Sequence, residues 1–192
     1  LEAKMFVLIG IFIFAYFKFT WSLRQFNFVS ILLGATPSRN SAPDVLERAA
    51  SAGVREMITI ATDIADSRAA VELCRDHPQV RCTVGIHPNY AHAATAADVA
   101  KLDIFLSSIG NGVVAMGEMG LDYFHNHTPR DHQHAVFRAQ LGMAVERDMP
   151  VVIHCREAVD DCLAVMADFS AARAVFHCFT GSADEAQKII AA

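Results

Sequence analysis

Five short apolar runs recur along the chain, each closing on a polar residue and each followed by a stretch with helical spacing. "VREMITIATD" ends on Thr62 and Asp63, and "VRCTVGIHP" reaches His87. "GVVAMGEMGLD" carries Glu118 and Asp122, "MPVVIHCRE" holds His154, and "AVFHCFTG" holds His177. Runs this short and this uniformly apolar predict strands buried on both faces, as in a parallel sheet. The stretches between them predict the crossover helices such a sheet requires. Helices are expected from "APDVLERAASAG", ending at Gly53, and from "ADSRAAVELCRDH", stopping before Pro78. Others are expected over 96–108, over about Arg130 to Arg147, and in "AVDDCLAVMADF". A last helix opens at Ser182, with Glu185 three residues on in a capping box. An open doubly wound sheet and a (β/α)8 barrel both satisfy this pattern.

Ahead of it lies a different kind of chain. Residues 5 to 17, "MFVLIGIFIFAYF", contain no charge, and Lys18 and "FTW" follow. The run is shorter than the roughly 20 residues that span a bilayer. Counted to Trp21, residues 5–21 leave two readings open: a marginal membrane segment, or a product of a misassigned gene boundary, since the chain opens on Leu1. The Gly/Pro/Ser/Asn cluster "GATPSRNSAP" marks a linker. The expected organisation is therefore an apolar segment over 1–34 and an α/β domain over 35–192.

The composition narrows the function classes. With 53% hydrophobic and 19% charged residues, the chain reads as folded rather than disordered. A net charge of -5 argues against a broad basic face for nucleic acid. It does not exclude a nuclease, because bound cations can supply positive charge locally. The five cysteines, Cys74, Cys82, Cys155, Cys162 and Cys178, are odd in number and form no C-x-x-C. They read as thiols in a reducing compartment, the cytoplasm, rather than as a disulfide framework or a zinc ribbon.

The chemistry is suggested by position. In parallel α/β folds, active sites form at the C-terminal ends of the strands. A single buried histidine is ordinarily a packing residue. His87, His154, His177 and Glu118, at equivalent ends of four strands, are hard to explain as packing. Imidazole and carboxylate together suit zinc, magnesium or manganese. One or two such ions acidify water and clamp phosphoryl oxygens, so metal-assisted hydrolysis is the expected chemistry. Side chains alternate along a strand, so the neighbours Cys155 and Cys178 are expected to point away from the site and fill the core. "HNH" at 125–127 is read as a solvated loop in preference to a substrate contact. "HQH" at 132–134 is a poor chelator, since residues two apart on a helix do not share a face. His77 and His92 are read as surface or helix-end residues.

"VGIHP", "GEMGLDY", "PVVIHCRE" and "FHCFTGS", in this order, resemble the TatD family of metal-dependent deoxyribonucleases, as do Gln133, Phe137 and Gln140 between the second and third motifs. The resemblance covers about residues 43–192 and implies a (β/α)8 barrel of the amidohydrolase type. It implies 3′-to-5′ exonuclease action on DNA, on single-stranded ends, with divalent ions. It makes Glu118, His154 and His177 the metal ligands and His87 a histidine lining the site. It places Asp122, Tyr123 and Arg156 beside the ligands or on the phosphate, and a guanidinium suits phosphate bidentately. The family's first-strand H-x-H and last-strand aspartate have no counterpart here. A full barrel takes about 250 residues, so the chain corresponds to about strands 2–6 of eight, an incomplete barrel. Two other readings stand beside the nuclease: an amidohydrolase-type enzyme on a small non-nucleic substrate, and a non-catalytic truncated remnant. No protein partner can be inferred from the sequence.

Overall fold

The structure, a computed structural model, describes residues 42–107, 112–125 and 127–192. The apolar segment at 5–21 lies outside them. Among the described residues no helix is long and apolar enough to cross a membrane. The chain divides into two compact units, ending and starting at Ala52 and Gly53. Helix α1 (Ala42–Ser51) stands in the first.

The second unit alternates strictly. β1 (Met57–Thr59), α2 (Ile64–Asp76) and β2 (Val80–Val84) are followed by a 3-10 turn (Pro88–Ala93) and α3 (Ala96–Leu106). Then come β3 (Val113–Asp122), α4 (Arg130–Glu146), β4 (Val151–Arg156), α5 (Val159–Ala167), β5 (Ala174–Phe176) and α6 (Ala183–Ala191). The strands are all parallel and lie in the order β1-β2-β3-β4-β5. A doubly wound sheet reverses its order at a switch point. This sheet does not reverse, which is the arrangement of consecutive barrel strands.

Local signals set the helix ends. Asp63 caps α2 by accepting from the Asp66 N–H, and Thr95 with Asp98 forms a capping box on α3. Ser182 and Glu185 form the expected box on α6. The core lies between sheet and helices. Val71, Leu73 and Cys74 of α2, Val136, Phe137 and Leu141 of α4, and Cys162 and Val165 of α5 are buried. They meet the apolar strand positions Val80, Cys82, Val84, Met116, Met119, Leu121, Val151 and Ile153. Each large side chain so buried contributes about 1.5–3 kcal/mol.

Two expectations fail at β5. Its side chains were expected to be buried, but Ala174 and Val175 are exposed and Phe176 is only partly covered. Among the described residues β5 pairs with β4 alone, so no strand flanks its other side. The strand also ends at Phe176, which leaves His177 and Cys178 in a turn. Cys178 adopts φ 47° and is exposed rather than packed in the core. Strand alternation does hold for the other pair, where Cys155 is buried behind His154.

The β3–β4 seam is the tightest part of the sheet. Its register slips between Met116 and Met119, where three steps on β3 match two on β4. Beyond the slip Gly120 pairs with His154 and Asp122 with Arg156. Gly117 and Gly120 have φ of 133° and 141°, and a Cβ on either would collide with the backbone of β4. Gly120→Ala is expected to cost about 3 kcal/mol or more, from a backbone region open only to glycine plus overpacking. Urea unfolding or loss of soluble yield would measure it.

Candidate metal centre

Glu118, Gly120 and Asp122 alternate along β3 and share a face with His154 and Arg156 of β4. Gly120 offers no side chain between the two acids. The imidazole of His154 reaches both: Nδ1 lies 2.9 Å from Glu118 Oε1, and Nε2 lies 3.1 Å from Asp122 Oδ2. Both carboxylates are buried. The backbone under Glu118 is fastened from the other side. Its N–H donates to the Ala61 carbonyl at 2.9 Å, and the Thr83 hydroxyl donates to the Gly117 carbonyl at 2.6 Å.

His87 arrives from beyond the end of β2, its N–H bound to the Thr62 carbonyl at 2.8 Å. Its Nε2 lies 3.0 Å from His154 Nδ1. His87, Glu118 and His154 thus each bring one ligand-type atom within 4.8 Å of the others. The Asn89 N–H donates to His87 Nδ1 at 3.1 Å, so that nitrogen presents its lone pair. In the neutral ring the proton therefore sits on Nε2, pointing into the cluster. Burial, with the His154 imidazole beside it, holds the His87 pKa down to about 4 and keeps the ring neutral.

The acids respond to these neighbours. Burial opposes charge on Glu118, but the His154 hydrogen bond and the histidines around it outweigh burial and lower its pKa. Burial likewise opposes charge on His154, while Glu118 and Asp122 raise its pKa. Asp122 is held ionised against burial by the His125 N–H, the His125 ring and the Asn89 amide. Its partners are close: Phe124 N at 3.0 Å, His125 N and Nδ1 at 2.9 Å, and Asn89 Nδ2 at 3.1 Å. Asn89 Oδ1 is buried with no hydrogen-bond partner. Thr62, His87, Asn89, Tyr90, His92, Glu118 and His127 line a cleft of about 540 Å³.

The other residues singled out from the sequence fall in different places. His177 stands in the turn after β5, outside the three-residue group. Arg156, partly buried, lays its guanidinium 4.1 Å from the centre of the Phe124 ring. Tyr123 is turned away from the cluster. Its hydroxyl donates to Asp161 Oδ2 at 2.6 Å and lies 2.8 Å from His134 Nε2, with Arg130 over its ring at 3.8 Å. Asp63 serves as a helix cap. His125 stacks on His127 with centroids 5.6 Å apart, and His132 turns to the Ala94 carbonyl while His134 meets Tyr123. Sequence reasoning missed Asn89. One position past "HP" it is indistinguishable from an ordinary turn residue, and only the fold brings it to Asp122.

A family model described as TatD related DNase matches residues 33–192. A second, a protein of unknown function, DUF599, matches residues 1–64. Among curated proteins, a 3'-5' ssDNA/RNA exonuclease TatD from Edwardsiella piscicida is 38% identical over 146 residues, 74% of this chain and 55% of its own length. An uncharacterized metal-dependent hydrolase, YabD, from Bacillus subtilis is 34% identical over 147 residues, 76% of this chain and 57% of its own. The chain thus spans little more than half the length of these relatives. Among solved structures, the TatD homologue YJJV from Escherichia coli k12 superposes with a TM-score of 0.76 at 26% identity, covering 82% of this chain and 61% of the other.

Tyr123→Phe tests whether this ring is a fastener. Losing its bonds to Asp161 and His134 is expected to lower stability by about 1 kcal/mol in urea unfolding. Metal uptake is expected to stay as in the unchanged protein.

Proposed function

The chain belongs to the TatD-related DNase family, and we propose that it is a divalent-metal-dependent hydrolase that cleaves phosphodiester bonds at single-stranded DNA ends. The observation that carries this reading is the meeting of Glu118 Oε1 and His154 Nδ1 at 2.9 Å, with the buried carboxylate of Asp122 behind the ring. Carboxylate, imidazole and outer carboxylate in line is a recurrent arrangement at metal sites, the outer acid fixing the tautomer and aim of the ligand histidine.

The residues fit a cation. Glu118 and His154 offer an oxygen and a nitrogen of the kinds that zinc, manganese and magnesium accept. The orphaned acceptor Asn89 Oδ1, in a residue lining the cleft beside them, calls for a donor such as a bound water. Glu118 and His154 would hold the ion, with His177 as a third ligand from the neighbouring strand end. Bound there, a divalent ion supplies Lewis-acid chemistry, acidifying a water and polarising a phosphoryl oxygen.

The chain's own groups do the rest. Asp122 keeps the His154 Nε2 proton engaged at 3.1 Å, so that Nδ1, 2.9 Å from Glu118 Oε1, is the nitrogen that would turn to a cation. His87, with Nδ1 committed to the Asn89 N–H, is a hydrogen-bond donor through Nε2 rather than a ligand. It is suited to a non-bridging phosphate oxygen as charge develops there. Arg156 stands two residues beyond His154 on the same face and presents a guanidinium to the same anion. Tyr90 and Phe124 are 49% and 52% exposed beside the cluster. Exposed rings of this kind stack with unpaired bases, which favours single-stranded substrate. The relatives named as ssDNA/RNA exonucleases support the same substrate class. Five free thiols fit a reducing compartment, which supports placement in the cytoplasm.

Single substitutions separate these roles. Glu118→Gln and His154→Ala are expected to lower manganese affinity at least about tenfold in titration calorimetry and to abolish metal-dependent hydrolysis of a single-stranded oligonucleotide. His87→Ala is expected to keep manganese affinity while lowering kcat about 100-fold. Hydrolysis undiminished in Glu118→Gln would overturn the assignment. A screen in which the protein opens lactones or amides but leaves phosphodiesters intact would favour a non-nucleic substrate.

A further inference from the structure

Helix α4 carries two glutamines that are almost fully buried, Gln133 at 2% exposure and Gln140 at 0%. They are seven residues apart, two turns of helix, and so lie on one face. Each amide both accepts from and donates to the backbone of one strand-end residue. Gln133 Oε1 accepts from the Asp122 N–H at 2.8 Å, and its Nε2 donates to the Asp122 carbonyl at 3.0 Å and the Thr128 carbonyl at 2.9 Å. Gln140 Oε1 accepts from the Ile86 N–H at 2.8 Å, and its Nε2 donates to the Ile86 carbonyl at 3.0 Å.

The residues gripped are telling. Ile86 immediately precedes His87. Asp122 is the acid behind His154. Both lie where a strand runs out, β2 at Val84 and β3 at Asp122. A buried amide is costly unless every polar atom is matched. Between the two glutamines the helix fills its inner face with apolar Val136 and Phe137. A polar pair in that stripe contributes little to packing that leucine or methionine would not contribute better.

We propose that Gln133 and Gln140 are positioning residues of the metal centre: one helix, by two amide clamps, sets the places of His87 and of the carboxylate that orients His154. This rests on the reading of the cluster as a metal centre. The clamps act through the ligands and their neighbours, and touch neither ion nor substrate.

The test compares Gln133→Met and Gln140→Met with Phe137→Leu, a substitution of similar depth on the same helix face that removes no hydrogen bond to a strand end. Manganese binding is read by titration calorimetry, and the ring proton–nitrogen correlations of His87 and His154 by NMR. Gln133→Met is expected to lose about 10- to 100-fold in manganese affinity, as partners of metal ligands do, while Gln140→Met, which acts through the non-ligand His87, is expected to keep it. Gln140→Met is expected to move the His87 ring signals and Gln133→Met those of His154. Phe137→Leu is expected to lower the melting temperature with both readouts unchanged. If a Met variant does not fold, the Glu substitution at that position keeps the shape and the acceptor but loses the donor, and the same changes are expected. Unshifted ring signals in both glutamine variants, or equal losses in Phe137→Leu, would overturn the proposal. Should the unchanged protein bind no manganese, the metal-centre reading falls, and the ring signals alone still decide whether the glutamines position the histidines.

Discussion

The site depends on how closely β3 and β4 run at Gly117 and Gly120. There the two backbones approach so nearly that a Cβ on either glycine would strike the carbonyl of Val152 or His154. The slip in register between Met116 and Met119 sets the phase of β3, so that Glu118, Gly120 and Asp122 present themselves together. With Gly120 as any larger residue, β3 and β4 could not keep this approach.

Electrostatics then give each group in the cluster its own task. Two buried carboxylates facing one imidazole favour its positive charge, while burial alone would remove it. Asp122 is saturated by the turn that follows it, whose N–H groups and imidazole make it a fixed anion. Glu118 has no such set of donors and faces the histidines. The fixed acid directs the ring, and the other is left available to a cation.

Much of this was legible in the sequence. The period of apolar runs reported the parallel sheet, and the polar residues at strand ends reported Glu118, His154 and His87. Local alternation separated His154 from Cys155 correctly. It failed for His177 and Cys178, because β5 stops at Phe176 and alternation has no meaning in the turn beyond. The hydroxyl of Tyr123 could not be placed either. Its partners Asp161 and His134 sit on two helices, and their meeting is a tertiary event. Gln133 and Gln140 were marked only by the resemblance to the family. What they bind depends on where β2 and β3 end in space, which no local pattern states.

The unreversed order of the strands has a kinetic side. Every pairing in the described sheet joins a strand to the next one in the chain, with one helix between. The sequence separation of these contacts is therefore modest, and loop closure asks less of the chain than a sheet with distant pairings would. His87, Glu118, Asp122 and His154 come from three successive strand–helix units in the middle of that order. The outer pairings join residues 23 apart in the chain and the middle ones 31 to 35 apart, so the cluster forms across the longest loop closures of the described sheet.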